Sequence, residues 1–351
     1  MSNLGTRPGP VKVWNAMRKA RTAYQIVLML LWVTAAASAE LGKDWVEATP
    51  AAPWGPRYYG AAVAYKGKMW VIGGDVVRGL GPGYVWSSTD GTSWTASFVN
   101  PPWATAREQH AAVVFKDRIW IIGGITWAGY SDVWYTTDGV HATSVTLYAP
   151  WPARVGHTAV VFNNKMWVLG GCALGQVPYM NDVWYSSDGT SWTQATPHAQ
   201  WGPRAYHTSV VHDGKIWVFG GEGPSTAYLD TWCSSNGTTW TAGGYAPRVG
   251  GWKVRAVAYN GKIWLMGGQN WPTGLHPSDV WSSADGMRWT QVTPAAPWPG
   301  REDFMVLVHN RKMWVLGGRT DTGWPRYREI LLNDVWYSEL PSAAGRWWRY
   351  P

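Results

Sequence analysis

Five arginines recur at one spacing. Arg57, Arg107, Arg154, Arg204 and Arg301 each stand thirteen residues before a tryptophan: Trp70, Trp120, Trp167, Trp217 and Trp314. A guanidinium is a planar fork of donors that matches a carboxylate, so arginines brought to one place would hold an acidic group. Of the 30 tryptophans, 22 fall on repeated positions and read as packing, which leaves eight. Three of the eight, Trp127, Trp271 and Trp324, lie in segments that follow a double glycine. Indoles beside Asp75, Glu222, Gln269, Asn270 and Arg319 would stack on sugar rings while the polar groups fix hydroxyls. His110, His157 and His207 share one repeated position, but no carboxylate or cysteine completes a metal set, so neither a metal nor a cofactor is expected. Glu222 is the catalytic candidate carried forward, and no motif surrounds it.

The elements that position these residues come from a repeat. The segment Asn164 to Gly171 (NKMWVLGG) has near copies at 67–74, 117–124, 214–221, 261–268 and 311–318. Its tryptophans fall at 70, 120, 167, 217, 264 and 314, in steps of 50, 47, 50, 47 and 50 residues. Six units of one size mean a repeat architecture. Each unit reads as four short strands. In the clearest, Thr158 to Phe162 and Met166 to Leu169 are apolar strands turned by Asn163-Asn164. Asp182-Val183-Trp184-Tyr185 is the third strand, and Ser187-Asp188-Gly189-Thr190 turns into a fourth that begins at Trp192. Two apolar-faced strands per unit suit sheets packed face to face. In such a meander the segment before strand one and the segment between strands two and three open on the same end of the molecule. Segments after the double glycine vary from seven residues (125–131) to fifteen (319–333), which makes that end the binding face.

A double glycine ending strand two, an aromatic in strand three, a tryptophan opening strand four and a period near 50 resemble the kelch-repeat β-propellers over about residues 44–340. The resemblance implies an all-β fold, a six-bladed β-propeller of kelch repeats. The last unit lacks the tryptophan eight residues after Trp336 that Trp86, Trp184, Trp232 and Trp281 each have, whereas Asp44 to Pro50 matches Ser191 to Pro197. The ring is therefore expected to be closed by an N-terminal outer strand, with the tail around Trp347 and Trp348 as the rival. Within the family the chain is similar to the bacterial sialic-acid mutarotases. That likeness implies an arginine for a carboxylate and an acid or base at a ring oxygen, with Arg204 or Arg154 and Glu222, or Glu108 beside Arg107, in those roles. Galactose oxidase also contains a kelch propeller, but its copper chemistry uses a further C-terminal domain, and copper oxidation is rejected here.

With 46% hydrophobic and 15% charged residues, the composition supports one large β-rich domain. A formal charge of +8 without a Lys/Arg block gives no nucleic-acid arm. Cys172 and Cys233 occupy non-equivalent positions and read as free thiols. Residues 1–39 read as a signal peptide: Lys12, Arg18, Lys19 and Arg21 precede an apolar run from Ile26 to Val33, and Ala37-Ser38-Ala39 is a cleavage pattern. The alternative is an uncleaved signal-anchor. Residues 40–340 are the propeller and 341–351 a tail. The expected protein is exported, periplasmic or extracellular, and monomeric. It binds a carbohydrate or acidic small molecule, or a protein, with no nucleic acid and no membrane contact beyond the N-terminal anchor. Catalysis as a sugar mutarotase or epimerase and a protein-interaction scaffold are the alternatives.

Overall fold

The computed structural model describes residues 40–75, 84–99, 103, 107–175, 178–247, 251–270, 273–321 and 328–340. Six four-stranded antiparallel sheets make the six blades of a β-propeller. After β1 (Val46–Thr49), blade 1 contains β2 (Ala61–Tyr65), β3 (Lys68–Ile72), β4 (Tyr84–Ser88) and β5 (Thr95–Val99). Blade 2 contains β6 (Ala111–Phe115), β7 (Arg118–Ile125), β8 (Gly129–Thr136) and β9 (Ala142–Thr146). Blade 3 contains β10 (Thr158–Phe162), β11 (Lys165–Cys172), β12 (Tyr179–Ser186) and β13 (Thr193–Thr196). Blade 4 contains β14 (Thr208–His212), β15 (Lys215–Phe219), β16 (Asp230–Ser234) and β17 (Thr241–Tyr245). Blade 5 adds a two-residue pair, β18 (Gly251–Trp252) with β21 (Gln269–Asn270), to β19 (Arg255–Tyr259), β20 (Lys262–Met266), β22 (Val280–Ser283) and β23 (Thr290–Thr293). Blade 6 contains β24 (Met305–His309) and the long strands β25 (Lys312–Asp321) and β26 (Glu329–Glu339).

The ring closes through the N-terminal strand. β1 pairs antiparallel with β26, Val46 opposite Tyr337 and Glu47 opposite Trp336, so blade 6 is completed by residues from the other end of the propeller sequence. Gly42 donates its N–H to Ser338 Oγ (2.7 Å), as Gly189 does to Ser186 Oγ (2.7 Å) within blade 3. The N-terminal segment thus supplies both the outer strand and the turn that precedes it. The leader and the tail lie outside the described residues.

Adjacent blades are held by apolar layers and by one repeated backbone contact. The strand-two residues Met166, Val168 and Leu169, like Ile119, Ile121 and Ile122, are fully buried between blades. Each strand-two tryptophan covers the outer-turn glycine of the next blade, so that a Cβ on Gly189 would stand 2.1 Å from Trp120. The second glycine of each double-glycine pair donates its N–H across to the next blade: Gly74 to Arg107 O (2.8 Å), Gly124 to Arg154 O (3.0 Å), Gly171 to Arg204 O (2.8 Å), Gly268 to Arg301 O (2.9 Å) and Gly318 to Arg57 O (2.8 Å). The fourth-to-fifth link, Gly221 to Gly251 O, is the longest at 3.4 Å. Close approach explains the glycine: Gly170 has a φ of 54° and its Cβ would lie 2.9 Å from Arg204 O.

In three blades the strands run on past the double glycine instead of giving way at once to the expected loop. β7 and β8 continue as a hairpin to Ile125 and Gly129, β11 and β12 to Cys172 and Tyr179, and β25 and β26 to Asp321 and Glu329. Cys172 and Cys233 are both buried free thiols. Asn236 replaces the aspartate of the outer turns and caps the same way, its side-chain oxygen accepting the N–H groups of Thr238 and Thr239 (both 2.9 Å).

Candidate functional site

The five repeated arginines, expected at a ligand-binding rim, are buried and engaged within their own blades. Arg57, Arg107, Arg154, Arg204 and Arg301 are at most 2% exposed. Each donates to the carbonyl of the first glycine in the double-glycine pair of its own blade, at 2.7–2.9 Å in Arg57 to Gly73, Arg107 to Gly123, Arg154 to Gly170, Arg204 to Gly220 and Arg301 to Gly317. In four blades both terminal nitrogens also grip one aspartate: Asp132 (2.6 and 2.8 Å), Asp182 (2.9 and 2.8 Å), Asp230 (2.7 and 3.0 Å) and Asp334 (2.6 and 2.7 Å). That aspartate accepts the indole N–H two residues later as well, as Asp182 does from Trp184 (2.7 Å). Burial opposes the charge of Asp182 and Asp230, yet their arginines overcome it and hold both below the usual carboxylate value. A fork turned onto a buried carboxylate is not presented to a ligand.

The ties are incomplete in two blades. Blade 1 has Arg57 but Tyr84 where the aspartate belongs, and burial pulls the guanidinium down to about 10. Blade 5 has Asp279 but Gly251 in place of the arginine, and burial pushes that carboxyl up. Of the three loop indoles, Trp127 is 88% exposed at the β7–β8 turn and lines neither cavity described below. Trp271 and Trp324 lie outside the described residues.

Immediately beyond each tie the backbone forms a ring whose chemistry varies. The residue after each arginine position bridges the residue after each double glycine: Tyr58 with Asp75, Glu108 with Ile125, Val155 with Cys172, Ala205 with Glu222, Trp252 with Gln269, and Glu302 with Arg319. One position further, Tyr59, Gln109, Gly156, Tyr206, Lys253 and Asp303 all take left-handed φ values of 54–61°. Five of these six are not glycine, although the conformation costs an L-residue roughly 1 kcal/mol or more. The backbone here closes on the axis, with Tyr59 N donating to Asp303 O (3.0 Å), Gln109 N to Tyr59 O (2.9 Å) and Tyr206 N to Gly156 O (2.7 Å). Sequence reasoning named Asp75, Glu108, Glu222, Gln269 and Arg319 but missed Tyr59, Gln109, Tyr206, Lys253, Glu302 and Asp303. The signal was available as positions that change chemical type from unit to unit between fixed ones.

The mouth built by this ring has two unlike walls. On the side of blades 5, 6 and 1 it is charged: Lys253 Nζ lies 3.2 Å from Glu302 and 3.0 Å from Asp303, and Arg319 contacts Glu302 (2.8 Å), Asp303 (3.0 Å) and Glu329 (2.7 Å). Burial opposes ionisation of Glu302, but His276, Lys253 and Arg319 bring it down to about 2. Glu108 goes the other way. Burial, then Asp75 and Asp303, push it up to about 7 against the pull of Arg319, and its Oε2 is buried without a partner. Its sequence neighbour Arg107 is engaged by Asp132.

On the side of blades 3 and 4 the wall is apolar, with Val155, Cys172, Ala205 and Tyr206 buried together against Tyr179 and Trp252. Burial and Glu222 push the Cys172 thiol up to about 12, which leaves it unreactive at neutral pH. Glu222 stands at the outer edge of this wall. Its Oε1 accepts from Tyr179 OH (2.8 Å), and its Oε2 has no partner. A groove of about 310 Å³ runs between the 223–227 loop and Trp252, with Glu222 in its lining.

A second cavity, of about 170 Å³, lies on the axis under Tyr59, Gln109 and Tyr206. Tyr206 OH donates to Gln109 Oε1 (2.9 Å) across it. His110, His157 and His207 line its sides, and burial first, then the nearby arginines, push their imidazoles far down, His110 and His157 to about 3. All three are neutral. Among the described residues no three His, Cys, Asp or Glu side chains group as metal ligands.

A solved structure of YjhT shares the architecture, with a TM-score of 0.65 and 16% sequence identity over 82% of this chain and 96% of that one. No curated protein sequence matches. The sequence matches the KLHDC2/KLHL20/DRC7 Kelch-repeats domain over residues 60–245 and again over 133–318. Repeat, ring and match agree, and the chain belongs to that kelch-repeat family.

Proposed function

We propose that this propeller is an exported carbohydrate-binding protein without catalytic activity, and that its ligand occupies the groove between Glu222 and Trp252. The observation that carries the reading is the state of Glu222. One carboxylate oxygen is fixed by Tyr179, the other is buried without a partner, and an indole forms part of the same groove. A carboxylate that accepts from sugar hydroxyls beside an aromatic ring is the usual grammar of carbohydrate recognition. Ser225 and Thr226 add hydroxyls to the lining. The five tie arginines do not enter, because all are buried and four of them are held by an aspartate of their own blade, and this favours a neutral sugar over an acidic one at the groove. A glycan array probed with the purified protein tests the idea. Binding to a neutral glycan should weaken at least about tenfold in Trp252→Ala and in Glu222→Gln, the loss of roughly 1.4 kcal/mol or more that a stacking or charge-assisted contact supplies. Unchanged affinity in both variants removes the groove as the site. Export rests on the leader at residues 1–39, and N-terminal sequencing of the secreted protein should begin at Glu40.

Glu108 favours a second reading, a sugar mutarotase. A carboxyl brought to about 7 is matched to proton transfer at neutral pH, and it sits in the mouth close to Tyr58 and Asp75. On this reading the protein speeds anomeric equilibration of a sugar followed by NMR, and Glu108→Gln returns it to the buffer rate. Equilibration at the buffer rate with the unaltered protein disposes of this alternative.

A further inference from the structure

Arg255 breaks the pattern of the innermost ring. The first residue of the inner strand is Ala61, Ala111, Thr158, Thr208 and Met305 in the other five blades, so the architecture there needs only a small or apolar side chain. Blade 5 places a guanidinium. Its Nε donates to the Phe304 carbonyl (2.8 Å), which ties it to blade 6 and fixes the direction of the fork. Among the described residues no carboxylate lies within ion-pair distance of it, and its two terminal nitrogens have no hydrogen-bond partner. The side chain keeps part of its surface, in the wall of the axial cavity of about 170 Å³. An unpaired guanidinium inside a protein is costly, and five N–H donors are more than one carbonyl tie requires.

The rest of the cavity wall is polar and uncharged. Thr208 Oγ1 accepts from Ala256 N (3.2 Å), which leaves its own proton to be donated. Thr158 Oγ1 links His207 Nε2 (2.9 Å) to Ser209 Oγ (2.7 Å), and the imidazole is neutral. The nearby Lys253 is matched by Glu302 and Asp303, so it neither competes with Arg255 nor replaces it.

We propose that the axial cavity is a second binding site, separate from the Glu222–Trp252 groove, which takes the carboxylate group of a small organic acid on the fork of Arg255 with Thr208 as an additional donor. A planar two-oxygen anion satisfies both terminal nitrogens at once, whereas a spherical anion meets them less well. The cavity admits an acid of acetate size.

Thermal unfolding in acetate against chloride at equal ionic strength is the test. Acetate should raise the midpoint of the unaltered protein by about 3 °C more than chloride, and Arg255→Met should lose that difference. The variant copies the residue that blade 6 carries at Met305, and it should melt higher than the unaltered protein in chloride because an unpaired charge is gone. A direct titration of acetate by NMR line broadening gives a second arm. Thr208→Val should weaken binding about fivefold, the usual worth of one hydrogen bond, and Trp252→Ala should leave it unchanged. An equal acetate effect in the unaltered protein and Arg255→Met, no broadening by acetate, or a chloride effect as large as that of acetate would each overturn the proposal. Neither result depends on whether a glycan binds the outer groove.

Discussion

Blades 3 and 5 are cut to one template and differ in where they keep their positive charge. In blade 3 the cation is Arg154, buried between Gly170 O and both oxygens of Asp182, while the positions two and four residues later are Gly156 and Thr158. In blade 5 the tie position is Gly251, and the cations are Lys253 and Arg255, at those same two later positions. A charge that braces a blade in one place has moved to the axis in the other. The difference teaches that repetition marks support in this molecule and that departures from it mark the mouth. Arg154→Ala should be the most damaging single change. It strands Asp182 in the interior, and removal of one partner of a buried pair typically costs about 3–5 kcal/mol. Urea unfolding followed by tryptophan fluorescence reads it, and a loss below about 1 kcal/mol would mean that the tie does not support the blade.

Blade 2 sharpens the contrast, because there a completed tie is followed by an acid that has no cation of its own. Glu108 has its folded value raised from 4.5 to about 7, so the folded state holds the proton more tightly than the unfolded chain. The sign follows: its contribution is intact below about pH 4.5 and is lost as pH rises towards 7. Glu108→Gln should therefore match the unaltered protein at pH 4 and exceed it at pH 8, by of order 2–3 kcal/mol. Equal stability of the two proteins at pH 8 would show that this carboxyl ionises without penalty. Lys253→Met comes next. It takes a cation from Glu302 and Asp303, but Arg319 still contacts both, so the expected cost is about 2 kcal/mol, smaller than that of stranding Asp182.

The fold was legible because it is written six times. Spacing of the strand-two tryptophans, the double glycines and the Asp-Gly turns each follow from a contact made in every blade, and the match of Asp44–Pro50 to Ser191–Pro197 disclosed the closing strand. The site was less legible for the same reason. A recurrent arginine looks like a recurrent binding group until its partner is found, and the partner, the aspartate two residues before the third-strand tryptophan, is 25–33 residues away in sequence. Charge type cannot reveal whether a fork is spent. Glu222 was visible as an acid after a double glycine, but its bond to Tyr179 joins blades 3 and 4 and has no sequence signature. Lys253 and Arg255 were readable as departures from the template, and only the ring geometry gives those departures a shared direction.

The smallest effect belongs to the half-tie of blade 5, and it separates two explanations of the missing arginine. Asp279 is buried, its Oδ2 accepts from Trp281 Nε1 (2.8 Å), and its Oδ1 has no partner. Burial pushes its ionisation up, the reverse of Asp182 with its arginine in place. If Asp279 persists only as a remnant of the template, its charge is a burden. Asparagine keeps an oxygen for the indole and removes the charge, so Asp279→Asn should be neutral or stabilising by less than about 1 kcal/mol at pH 8. Asp182→Asn, the same change of one atom in blade 3, should be destabilising by more than that, because it leaves Arg154 buried without its anion. Paired urea midpoints for the two variants make the comparison directly. Equal losses would mean that Asp279 serves its blade as fully as Asp182 does, and that the cations on the axis owe nothing to a tie given up at Gly251.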